Sequence, residues 1–174
     1  VVSADTALQL PDFRASERTF QLVSQVAGRA GRTADGPQAR VIVQSMHPDN
    51  PAVLHAAAHE WDRFAEHELA MRSRAGLPPA KRMVRVVFRD RDPDAAMAMA
   101  NAAAQVLSST QENIELLGPA PCPMARIDDR HRIGLEVLGD SPGTLGRALA
   151  KARVSGGLKP GEKVVIDVDP TSLL

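Results

Sequence analysis

Three long polar side chains within one short stretch, Gln25, Arg29 and Arg32, could act together on a polyanion. If the stretch is helical, they stand four and then three residues apart and share one face. Each guanidinium is a permanent charge with a planar fork of donors, and two of them beside an amide suit a triphosphate. Gly28 and Gly31 lie next to the arginines and remove bulk where a ligand must come close. Leu22, Val23, Val26 and Ala30 supply an apolar side to anchor such a helix. An Arg-rich amphipathic helix is also what an ordinary solvated face looks like, so spacing alone does not decide between the two.

The surrounding residues narrow the choice. Gln25, Gly28, Arg29 and Arg32 match, position by position, the Gln-x-x-Gly-Arg-x-x-Arg motif of superfamily-two helicases. The lead-in from Leu10 to Arg18, with its Pro11-Asp12-Phe13-Arg14-Ala15 and Glu17-Arg18, resembles the primosomal protein N-prime (PriA) family of replication-restart helicases. The tail Ile166-Asp167-Val168-Asp169-Pro170 is similar to the end of that family, as is the pattern Phe64, Glu68-Leu69, Arg72 and Pro78-Pro79. The resemblance covers nearly the whole chain and is densest at residues 5–46 and 60–79. It implies that Arg32 is an arginine finger, that Arg29 and Gln25 sense the nucleotide, and that Gly28 belongs to the same nucleotide-binding motif. It also implies ATP and Mg²⁺ in the full-length protein, and zinc in a cysteine-rich module upstream of this chain. Implied partners are forked or branched DNA, the single-stranded-DNA-binding protein and other primosome proteins. A member that had lost ATPase activity would instead be a non-catalytic scaffold on DNA forks.

Composition limits the other possibilities. Lys and Arg number 21 and so do Asp and Glu, so no overall field draws the chain to nucleic acid. Neither side of residue 80 is a basic module, and any DNA contact must come from local clusters. One cysteine, Cys122, excludes a disulfide framework and a cysteine-cluster zinc site within this segment. His55 and His59 have the spacing of a metal pair, but no further ligand completes a persuasive set and no metal is expected. No apolar run spans a membrane, so a soluble cytoplasmic protein is expected; the resemblance adds association with a bacterial nucleoid. The start at Val1, without methionine, fits a segment of a longer protein. No phosphate-cradling Gly-x-x-x-x-Gly-Lys-Ser/Thr loop is present, and an independent enzyme has no nucleophile–base pair to support it.

The elements that must position these residues follow from periodicity. Residues 1–10 read as a strand end and a loop, and a helix is expected from Ala15 to Arg32 with Ser16 as a candidate N-cap. A turn over 33–37 and a buried strand over 38–45 would complete the closing unit of a RecA-like lobe. One long helix is expected over 52–74, burying Leu54, Ala58, Trp61, Phe64, Leu69 and Met71, with Glu60, Arg63, Glu66 and Arg72 wet. Gly76 to Pro79 would end it.

From Lys81 the pattern becomes a strand with Val84, Val86 and Phe88 inward, then a helix capped by Asp92 that buries Ala96, Met99, Ala103, Val106 and Leu107. A rigid proline-rich run from Gly118 to Pro123 leads to strands 124–128 and 132–138 about a turn at Asp129-Arg130-His131. A helix from Ser141-Pro142, carrying Leu145, Ala148, Leu149 and Ala152, then precedes a final strand with Val164, Ile166 and Val168 inward. The order strand, helix, hairpin, helix, strand is the split βαβ arrangement of ferredoxin-like folds.

The expected fold class is thus α/β and α+β, in three segments. The resemblance implies that residues 1–47 are the end of RecA-like helicase lobe 2 and 48–80 a bridging helix and linker, and 81–174 are expected to form a ferredoxin-like domain. Basic clusters in that domain offer phosphate contacts: Lys81, Arg82, Arg85 and Arg89, then Arg126, Arg130 and Arg132 around the hairpin. Arg147 and Lys151, on the last helix, are candidates for a partner's acidic tail. Aromatic content of 3% disfavours a platform for stacking bases. Cys122, between prolines, reads as a small buried hydrophobe.

Overall fold

The computed structural model describes residues 2–30 and 41–173. Their contacts divide the chain into two compact units, Val1–Met71 and Arg72–Leu174. In the first, β1 (Val2–Ser3) and β2 (Val43–Gln44) pair in parallel, Val2 opposite Val43. Between them lie α1 (Asp5–Leu8), a helical turn where a loop was expected, and α2 (Ala15–Ala30). Residues 31–40 lie outside the described residues, and with them Gly31, Arg32, the turn over 33–37 and the start of the expected strand. Ser16 is inside α2 and does not cap it. Asp12 makes the entry instead: its carboxylate accepts from the Arg14 N–H at 2.9 Å, and its carbonyl accepts from Ala15 at 3.0 Å. The same carboxylate pairs with Arg18 at 3.2 Å. The lead-in motif is therefore a local clamp on the start of α2.

The single helix expected over 52–74 is two helices, α3 (Pro51–Ala57) and α4 (Trp61–Arg74). Asn50 caps α3 by accepting from Ala52 N–H at 2.9 Å, with Pro51 at the first position. The helix ends because His59 takes a left-handed φ of 57°. His59 N–H then donates to Ala56 and Glu60 N–H to His55, the double closure of a Schellman motif. This break resets the helical phase. Leu54, Ala58, Trp61, Leu69 and Met71, expected inside, are exposed. Phe64 is buried as expected, in a core with Ala4, Phe20, Val23, Ala52, Val53 and Ala56. Arg72, expected in water, is buried and donates to the Pro78 carbonyl at 3.5 Å. Gly76, with φ +63°, closes α4 by a second Schellman motif, Leu77 N–H reaching Arg72 O at 2.8 Å.

The second unit continues with β3 (Arg82–Asp90), α5 (Pro93–Ser108), β4 (Ile114–Ile127), β5 (Arg130–Gly139), α6 (Pro142–Val154) and β6 (Val164–Val168). Four antiparallel strands form one sheet in the order β4-β5-β3-β6. Asp92 and Ser141 cap the two helices as expected, accepting from the N–H groups of Asp94 and Thr144. One sheet face carries Val84, Val86, Phe88, Ile133, Leu135, Val137 and Val164 into a core with Ala96, Ala100, Ala103 and Leu107 of α5 and Leu145, Ala148, Leu149 and Ala152 of α6. Met99 and Val106 pack on this core only partly buried, and Val168, expected inward, is exposed on the edge strand.

The hairpin differs from expectation. β4 runs straight through the proline-rich stretch, with register shifts between Leu117 and Ala120 and between Pro121 and Arg126. An edge strand tolerates prolines because one row of its N–H groups has no strand to bond. The turn is the two residues Asp128 and Asp129, both at positive φ, so Arg130 and His131 are strand residues opposite Ile127 and Arg126.

Candidate functional site

α2 is held by its inner face. Phe20 and Val23 are buried, the Thr19 hydroxyl donates to Ala15 O at 2.9 Å, and the Phe20 ring stacks on Phe64 with centroids 4.4 Å apart. Its outer face presents Gln25 and Arg29, both exposed, one helical turn apart. With Ser24 and Gly28 they line an open concavity. A Cβ added at Gly28 would meet nothing within 4 Å, so its small size serves no packing among the described residues and leaves room beside Arg29. The Ser24 Oγ is enclosed there without a hydrogen-bond partner. Among the described residues Arg29 has no carboxylate partner, whereas Arg14 and Arg18 pair with Glu17 and Asp12. Arg32 lies outside the described residues. The structure thus brings Gln25, Gly28 and Arg29 to one surface.

The basic residues of the second unit divide by what already holds them. Arg85, taken from the sequence as a DNA contact, is only 4% exposed. β3 is central and buried on both faces, so Arg85 packs inside: its Nε lies 3.5 Å from Glu136 and its Nη1 donates to the Ser172 carbonyl at 3.4 Å. Burial pushes the Glu136 carboxyl up, an effect that the Arg85 guanidinium opposes. Arg147 and Lys151, the candidates for a partner's acidic tail, are exposed but already paired. Arg147 Nε donates to Glu112 at 3.1 Å, and Lys151 Nζ donates to the same carboxylate at 2.7 Å and to Thr110 O at 2.9 Å. Lys81 pairs with Glu115 at 2.7 Å, Arg82 with Asp169, and Arg126 with Asp129. The tail motif is structural in part, since Asp169 N–H also donates to Met83 O at 2.9 Å.

Arg89, Arg130 and Arg132 converge. Arg89 and Arg132 are directly opposite on β3 and β5, and with Arg130, Ile127, Asp128 and Glu162 they line a cleft of about 330 Å³. The carboxylates that govern these clusters, Glu112 and Glu162, were not singled out from the sequence, because nothing local marks them as partners of distant bases. His55 pairs with Glu60 at 2.9 Å, and among the described residues no His, Cys, Asp and Glu group could hold a metal. Cys122 is buried. No helix among the described residues is long and apolar enough to cross a membrane.

Glu112 is expected to make the second unit's stability pH-dependent. Its bonds from Lys151 and Arg147 hold its carboxyl below the ordinary value of 4.5. A lowered folded pKa means stability that is present above the unfolded value and lost as pH falls through the folded one. The denaturation midpoint is expected to drop on acidification below pH 4.5, and Glu112→Gln to flatten that dependence. Equal pH slopes for the two proteins would remove Glu112 from this role.

The family described as the primosomal protein N C-terminal domain matches residues 73–171. The replication restart protein PriA of Treponema pallidum is 37% identical over 100% of this chain and 26% of its own length. That of Haemophilus influenzae is 35% identical over 99% and 24%, and that of Chlamydia pneumoniae 32% over 98% and 23%. The chain spans about a quarter of the length of these relatives. With more than half of its residues inside the family match, and similarity to replication restart proteins along nearly its full length, the chain belongs to the PriA family and carries that family's C-terminal domain.

Proposed function

We propose that this chain is the C-terminal segment of an ATP-dependent replication-restart helicase, inactive by itself. On this reading residues 1–47 close RecA-like lobe 2, 48–80 bridge, and 81–174 form a ferredoxin-like domain, for which the sheet order β4-β5-β3-β6 is the support. The observation that carries the proposal is Gln25 and Arg29 side by side on the exposed face of an anchored helix, at motif spacing. They and Arg32 would meet ATP and Mg²⁺ held by an upstream lobe, stabilising charge on the transferring phosphoryl group. The parent would bind branched DNA, unwind it and start primosome assembly, in the bacterial cytoplasm at the nucleoid, with zinc in an upstream module. The single-stranded-DNA-binding protein and other primosome proteins would be its partners. To meet an acidic tail, Arg147 and Lys151 would first have to release Glu112.

Measuring DNA-stimulated ATP hydrolysis by the upstream lobes with and without residues 1–174 tests the proposal. Hydrolysis is expected only when the segment is attached. Equal hydrolysis without it would refute the arginine-finger role. No hydrolysis in either form, with DNA binding retained, would favour a non-catalytic scaffold.

A further inference from the structure

We infer that the cleft between Arg89, Arg130 and Arg132 is a single-phosphate site for the nucleic-acid backbone, occupied in the free protein by the Glu162 carboxylate. The inference rests on the proposed DNA-binding role and adds to it a defined subsite and its built-in competitor. Arg89 and Arg132 are register partners on adjacent antiparallel strands, so their side chains leave the same face of the sheet side by side. Like charges directly opposite are destabilising unless an anion lies between them. Among the described residues neither arginine pairs with a carboxylate. Arg132 Nη1 donates to the Met124 carbonyl at 3.1 Å and Arg89 Nη2 to the Glu162 carbonyl at 2.9 Å. Arg89 Nε is buried without a hydrogen-bond partner, and neither guanidinium is neutralised as a charge.

Arg130, two residues from Arg132 and on the same face, has the one strong carboxylate contact of the cleft, with Glu162. That carboxylate is 76% exposed, and exposed ion pairs contribute little stability, so the pair opens at small cost. Opening requires no movement of the main chain. The strap before β6 is pinned by Arg89 N–H on Lys163 O at 2.8 Å, by Arg89 Nη2 on Glu162 O, and by Lys163 on Asp90 at 2.6 Å. Only the Glu162 side chain has to swing away. With it in place the cleft holds three guanidiniums against Asp128 and Glu162; with it displaced, against Asp128 alone. A backbone phosphate entering the cleft replaces one singly charged anion with two acceptor oxygens by another, and gains the two guanidiniums that the carboxylate leaves uncompensated.

The test uses the 174-residue chain with Glu162→Gln and with the double change Arg89→Gln, Arg132→Gln, titrated with a labelled duplex oligonucleotide at several salt concentrations and separately with inorganic pyrophosphate. Glu162→Gln is expected to tighten duplex binding about two- to fivefold, the range of a surface ion pair. The double change is expected to weaken binding uniformly across sequences and to lower the salt slope by about one or two. Tighter pyrophosphate binding without any change for the duplex would overturn the backbone assignment in favour of a free phosphate ligand. If the wild-type chain binds duplex and no variant alters it, the cleft inference fails while the wider DNA-binding reading stands. If no duplex binds but pyrophosphate follows Glu162 and the arginines, that wider reading fails and the cleft is an anion site of another kind.

Discussion

Arg32→Ala in the intact parent protein is expected to slow ATP hydrolysis by about a thousandfold or more while leaving nucleotide affinity within a few fold. An arginine finger acts on charge that spreads over the transferring phosphoryl group, so its loss falls on kcat. Arg29→Ala should also reduce kcat, and Gln25→Ala less so, because a neutral amide contributes a weaker hydrogen bond than a guanidinium. The structural support is the presentation of Gln25 and Arg29: exposed, one turn apart, on a helix whose other face is held by Phe20 and Val23. Single-turnover hydrolysis with saturating ATP is the measurement. Normal hydrolysis by Arg32→Ala would end the assignment. A rise in KM with unchanged kcat would instead make these residues uniform binders of the nucleotide.

Phe64→Ala is expected to cost about 3–5 kcal/mol, the range for truncating a buried aromatic ring. Phe64 is 2% exposed and stacked on Phe20 at an interplanar angle of 14°, with Trp61 6.1 Å away. The core it belongs to is small, and four of its other members are Ala4, Ala52, Ala56 and Val53, which cannot fill the space left behind. Domain stabilities are about 5–15 kcal/mol, so this loss is a large share of what the first unit has. Trp61, the single tryptophan, reports on this unit by fluorescence during urea denaturation. Leu69→Ala is the control: Leu69 is exposed and its change should stay within about 0.5 kcal/mol. A Phe64→Ala midpoint indistinguishable from that control would show that the aromatic cluster does not hold the unit together.

Much of the second unit was legible residue by residue. Asp92-Pro93 and Ser141-Pro142 announce helix starts, because a cap is a contact over two or three residues. Val84, Val86 and Phe88 alternate, and alternation is a property of the extended chain itself. The break at His59 was not legible. The sequence around it, Ala56-Ala57-Ala58, favours helix, with neither glycine nor proline to mark an end. Treating 52–74 as one helix puts Leu69, Met71 and Arg72 on the wrong face, because the break changes the phase beyond it. Leu54 lies before the break and is exposed because α3 turns Ala52, Val53 and Ala56 inward. Asp12 was missed as the entry to α2 because Ser16 stood nearer to the expected cap position.

The sequence by itself determined which residues of α2 share a face and the order of elements in the second unit. It also carried the motif spacing that leads to the PriA family. Each of these depends on neighbours within a few positions, where backbone geometry leaves little choice. Only the tertiary structure decided which basic residues remain available. Glu112 lies 35 and 39 positions from Arg147 and Lys151, and Glu162 lies 32 from Arg130, so no local pattern marks these pairs. Arg85 and Arg89 have the same spacing rule and the same strand face, yet one is buried against Glu136 and the other opens into a cleft. Strand pairing, which brings distant residues to one register, made that distinction.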